Sequence, residues 1–99
     1  MFSSVKPFLW DPEKNEQLKR ERGISFERVV LHIEQGDLLD ILEHPRQQKY
    51  PGQRILVVQI QDYVFLVPCI EDEESVFLKT IFPSRKLTEQ YVRKRSADE

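Results

Sequence analysis

Three runs rich in β-branched and aromatic residues follow one another in the second half of the chain: Ile55-Leu56-Val57-Val58-Gln59-Ile60, Tyr63-Val64-Phe65-Leu66-Val67 and Val76-Phe77-Leu78-Lys79-Thr80-Ile81-Phe82. Polar turns separate them, and consecutive strands joined this closely pair antiparallel. The pattern predicts a meander between about Gln53 and Pro83, whose last strand runs into the basic segment Pro83-Ser84-Arg85-Lys86. Pro68 either ends the clean pairing of the middle run or sets a bulge in it. Leu38-Leu39-Asp40-Ile41-Leu42-Glu43 is short and meets a His44-Pro45 stop, which favours a fourth strand over a helix. Arg46 to Gly52, with Pro51-Gly52 as its turn signal, then reads as a polar hairpin loop.

The first half of the chain has helical punctuation. Asp11-Pro12 after the short apolar stretch Phe8-Leu9-Trp10 reads as an N-cap followed by proline at the first helical position, and Gly23 supplies the stop. Ser25 caps a second helix in which Phe26, Val29, Val30 and Ile33 form one apolar stripe, closed at Gly36. His32 lies beside that stripe and reads as a flank residue rather than a ligand. Thr88 is placed to cap a last helix carrying Glu89, Tyr91 and Val92, before a polar end from Arg93 to Glu99. The expectation is an α+β fold with N-terminal helices, an antiparallel four-stranded sheet, room for a short extra N-terminal strand, and a C-terminal helix.

A chain of 99 residues holds one core, so a single domain over 1–99 is expected, with its core at about 8–92. At 39% hydrophobic and 32% charged, with six Phe, three Tyr and one Trp, it has enough apolar mass to fold. Cys69 is the only cysteine, so no internal disulfide forms, and with two histidines the chain offers no zinc spacing. No metal or other cofactor is implied. No apolar run approaches the roughly 18 residues of a membrane span, and the first residues carry no export signal. A cytoplasmic location and no membrane contact are the expectations.

A net charge of minus 2 argues against a generic polyanion binder, yet the charges are uneven. Lys79, Arg85, Lys86, Arg93, Lys94 and Arg95 gather at the C-terminal end, after the acidic turn Glu71-Asp72-Glu73-Glu74. Alternation along the last run puts Val76, Leu78, Thr80 and Phe82 on one face and Phe77, Lys79 and Ile81 on the other. If the chain stays extended through Pro83, Arg85 joins the side of Lys79 and Phe77. Cations beside an exposed aromatic suit phosphate binding and base stacking on single-stranded RNA.

Such a surface could also cut RNA without a metal, because attack of the 2′-hydroxyl on the adjacent phosphate needs only proton transfer and stabilisation of negative charge. His44 and Glu89 are the candidates for proton transfer. Residue types leave the choice between binding and cleavage open. The glycines read as caps and turns rather than a phosphate-cradling loop, and no serine sits in a nucleophile elbow.

Read in order, Phe8-Leu9-Trp10-Asp11-Pro12-Glu13-Lys14, then Arg22-Gly23-Ile24-Ser25-Phe26-Glu27, then Ile81-Phe82-Pro83-Ser84-Arg85-Lys86 with Glu89 and Tyr91, resemble the BrnT family, ribonuclease toxins of bacterial type II toxin-antitoxin modules. The resemblance covers roughly residues 8 to 92. Ser84-Arg85 lacks the alanine that the family places between serine and arginine, and the first helix is longer before Gly23 than is typical. The resemblance implies a RelE-like domain that cuts RNA and is neutralised by a small DNA-binding antitoxin of ribbon-helix-helix or similar type, with operator DNA reached only through that partner. It implies that Arg85 holds the scissile phosphate, that Lys79 and Arg22 stabilise charge, and that Lys19 and Lys86 position the RNA backbone; alternation along the last run, not the resemblance, adds Phe77 as the RNA-stacking candidate beside Lys79.

The main alternative is a non-catalytic module of the same fold that binds RNA or a protein. On that reading Arg22 serves a helix C-terminus and Lys79 solubilises a sheet face. A DNA-binding regulator ranks last, because no helix-turn-helix is evident and no helix is strongly basic on one face.

Overall fold

The structure, a computed structural model, describes residues 6–43 and 45–93. Its elements in chain order are β1 (Phe8–Leu9), α1 (Pro12–Arg22), α2 (Phe26–Glu34), β2 (Leu38–Glu43), β3 (Gln53–Ile60), β4 (Tyr63–Glu71), β5 (Val76–Leu78), β6 (Phe82–Pro83) and α3 (Arg85–Thr88), which passes into a π-helical turn at Glu89–Arg93. This is an α+β fold. Its six-stranded sheet has the order β1-β5-β4-β3-β2, with β6 pairing β4 as well. The sheet is mixed rather than purely antiparallel, because β1 runs parallel to β5, with Phe8 opposite Val76 and Leu9 opposite Phe77.

The helices begin and end where local chemistry places them. The Asp11 carboxylate accepts the Glu13 N–H at 3.0 Å, Pro12 opens α1, and Gly23, at φ +66°, donates its N–H to the Lys19 carbonyl. The Ser25 hydroxyl accepts the Arg28 N–H to start α2. Asn15 locks the two helices together: its side-chain oxygen accepts the Phe26 N–H and its nitrogen donates to Glu27, both at 2.8 Å.

The core lies between these helices and one face of the sheet. Leu18, Ile24, Phe26 and Val29 from the helical layer meet Leu56, Val58, Ile60, Val67, Cys69, Val76, Leu78 and Ile81 from the sheet, all buried. Each of the Val, Leu, Ile and Phe side chains among them contributes about 1.5–3 kcal/mol on leaving water. Trp10 stacks on Phe26 with ring centroids 5.6 Å apart, which ties the segment before α1 to the start of α2.

Pro68 does not interrupt β4, whose ladder with β3 runs unbroken from Ile60↔Tyr63 to Gln53↔Ile70. The reason is geometric. The Pro68 carbonyl accepts the Lys79 N–H at 2.8 Å, so the missing donor of Pro68 points to the same side, where the pairing with β5 ends.

The last run is not one strand. Lys79 lies opposite Pro68 and Phe82 opposite Leu66, so two residues, Thr80 and Ile81, answer Val67 alone. This bulge reverses the expected alternation. Ile81 turns into the core with Val76 and Leu78, while Phe82 shares the opposite face with Lys79 and Phe77.

The C-terminal helix starts earlier than expected. Ser84, not Thr88, is its N-cap, accepting the Leu87 N–H at 3.2 Å. Thr88 is fully buried: its hydroxyl accepts the Val64 N–H at 2.8 Å and donates to the Ser84 carbonyl at 2.7 Å. α3 thereby packs on the second face of the sheet along β4, over Val64, and Val57 is buried on that same face outside the main core. At the other end of the sheet Glu71 joins Lys6 at 2.8 Å and also pairs with Arg54, tying the N-terminal segment to β3 and β4.

Candidate functional site

The residues singled out from sequence fall on two sides of the sheet. Phe77 and Lys79, both exposed, stand on the face opposite α1 and α2, and α3 packs on that same face. Lys79 and the helix bearing Arg85 therefore share a side of the sheet, but by way of the bulge and β6 rather than through a continuous strand. Arg85 and Lys86 are exposed in the first turn of α3. The Glu89 N–H reaches back to the Arg85 carbonyl, so Arg85 and Glu89 stand one turn apart on one helix face.

Arg22 and Lys19 belong to the other layer. Arg22, at the end of α1, donates through its guanidinium to the Ile81 carbonyl, 59 residues away, at the bulge just before β6. It is anchored to the chain that leads to Arg85. Lys19 is exposed and paired with Glu16 at 3.2 Å. His44 lies outside the described residues, as do Lys94 and Arg95.

A shallow cleft of about 400 Å³ opens at the hairpin end of the sheet, between the Gly23 turn and the tip formed by Gln61 and Asp62. Arg22, Arg28, Tyr63 and Phe65 line it together with those two tip residues. The rings of Tyr63 and Phe65 lie 5.7 Å apart and inclined by 57°. Arg28, Tyr63 and Phe65 were not legible as site residues. Their available signal was the alternation of Tyr63 and Phe65 on one face of β4 and the position of Arg28 one turn into α2. A second hollow of about 450 Å³ is walled by Pro45 to Lys49 alone, so it brings together no groups distant in sequence.

Cys69 is a free cysteine of the core. It is buried, and burial first, then the nearby Glu71 charge, pushes its thiol up to about 11, with Arg54 opposing. Among the described residues no group of three or more His, Cys, Asp or Glu side chains is placed to hold a metal ion. Among them no helix is long and apolar enough to cross a membrane.

Compared with protein families, with curated proteins and with solved structures, the chain finds no match.

Proposed function

We propose that this chain is a BrnT-like ribonuclease toxin with a RelE-like fold, acting in the cytoplasm and neutralised by a small DNA-binding antitoxin. The observation that carries the reading is the contact of Arg22 with the Ile81 carbonyl. It joins the Arg22-to-Glu27 motif to the Ile81-to-Lys86 motif, which the sequence separates by half the chain. Trp10 against Phe26 brings in the first motif as well. Short motifs that resemble one family in order are thus joined pairwise by contacts across the fold.

In the proposed reaction the 2′-oxygen attacks the adjacent phosphorus, the bond from phosphorus to the 5′-oxygen breaks, and a 2′,3′-cyclic phosphate and a 5′-hydroxyl result. Arg85 holds the phosphate and Lys79, on the same side of the sheet, offsets the charge that grows on its oxygens; Arg22, the third cation of the proposed set, reaches the Ile81 bulge from the other layer and acts from there. Glu89, one turn from Arg85, is the described candidate to take the 2′-hydroxyl proton; a second group must deliver a proton to the leaving oxygen.

Expression in a bacterium tests the reading. Growth should arrest with the wild-type chain, recover when the neighbouring open reading frame is co-expressed, and continue with Arg85→Ala. Unimpaired growth with folded wild-type protein favours the alternative, a non-catalytic module that binds RNA or a protein.

A further inference from the structure

We infer that the cleft between the Gly23 turn and the Gln61-Asp62 tip seats one nucleotide of single-stranded RNA, its base against Tyr63 and Phe65 and its phosphate at Arg22 and Arg28. The choice of RNA rests on the ribonuclease reading. The site itself rests on residues that the reading does not use, Arg22 excepted.

Arg28 is half-buried and lines the cleft, and its guanidinium has no hydrogen-bond or ion-pair partner among the described residues. Arg22 spends one donor on the Ile81 carbonyl, and a guanidinium carries five. Two cations thus flank the cleft with donors to spare, a geometry suited to phosphate oxygens. Tyr63 and Phe65 are half-buried and line the cleft, their rings 5.7 Å apart and inclined by 57°. Base stacking on such rings needs no particular sequence.

The tip adds polar groups. Gln61 is the one described non-glycine residue with positive φ, at +58°, and the Gln59 side chain donates to its carbonyl at 3.0 Å. An amide and the Asp62 carboxylate beside a stacked base can pair with its edge. Asp62 also repels a phosphate placed near it, which puts the phosphate at the arginine end of the cleft.

Binding of a short, labelled 2′-O-methyl RNA, which lacks the attacking hydroxyl, separates seating from cutting. Fluorescence anisotropy over a range of salt concentrations should show Tyr63→Ala binding about 5- to 160-fold more weakly, the worth of one stacked base, with Tyr63→Phe close to wild type. Arg28→Ala should lower the salt slope by about one. Wild-type affinity in both Tyr63→Ala and Arg28→Ala overturns the cleft and leaves the ribonuclease reading to the cutting assay. So does equal competition by polyglutamate in wild type and Tyr63→Ala, which means an acidic partner rather than a nucleotide. Failure of the wild type to bind the RNA overturns the inference too.

Discussion

The Arg22 guanidinium donates to the Ile81 carbonyl across 59 residues of sequence, and so holds the end of α1 against the bulge that precedes β6. A charged donor on a backbone carbonyl contributes about 1.5–3 kcal/mol. Arg22→Ala should lose stability of that order in urea unfolding, besides losing RNA cutting. If stability is unchanged and only cutting falls, Arg22 acts on substrate alone.

Thr88 stands in for a strand. Beyond β6 no partner strand meets the Val64 N–H, and the buried Thr88 hydroxyl accepts it instead. Thr88→Val keeps the shape but orphans that donor, so a loss of about 1–3 kcal/mol is expected by chemical denaturation. Thr88→Ser should recover most of it.

Gly52 carries a double constraint, a φ of +77° and a neighbour so close that an added Cβ would lie 2.5 Å from the Glu71 carbonyl oxygen. The same glycine accepts the Glu71 N–H at 2.9 Å, so the neighbour is held in place. Gly52→Ala should cost more than about 2 kcal/mol, read as a fall in thermal midpoint. Gly36→Ala, with open space around it, should cost only the strain of its positive φ.

Stability should depend on pH at both ends of the scale. The Glu27 carboxyl is held below its ordinary value of 4.5, chiefly by the Asn15 side chain. Its contribution is present when the group is ionised and is lost as pH falls through the lowered folded value. Cys69 behaves oppositely: the folded chain keeps the proton that the unfolded chain releases near 9, so stability should fall as pH rises from about 9 toward 11. Cys69→Ala should flatten the alkaline limb in a series of urea titrations.

Much of the fold was legible because its signals are local. Asp11-Pro12 with Gly23, and Ser25 before the Phe26 stripe, state where α1 and α2 begin, and Pro51-Gly52 marks the turn into β3. The misread elements depend on partners distant in sequence. The bulge at Thr80 and Ile81 comes from how Lys79 and Phe82 meet Pro68 and Leu66, and alternation counted along one strand cannot show it. Thr88 looked like a cap because a hydroxyl at a helix start usually is one, whereas Val64 claims it here. The candidate site was legible only in part for the same reason. Arg85 and Glu89 lie one turn apart, but the meeting of Arg22 with Ile81, and of Arg28 with Tyr63 and Phe65, is made by the packing of the helices on the sheet.

If the chain cuts RNA, the chemistry shows in the ends of the products. Purified protein incubated with RNA, free and in the presence of ribosomes, should yield fragments ending in a 2′,3′-cyclic phosphate or a 3′-phosphate, with Arg85→Ala folded but inactive. Intact RNA under both conditions would show that the chain is not a ribonuclease.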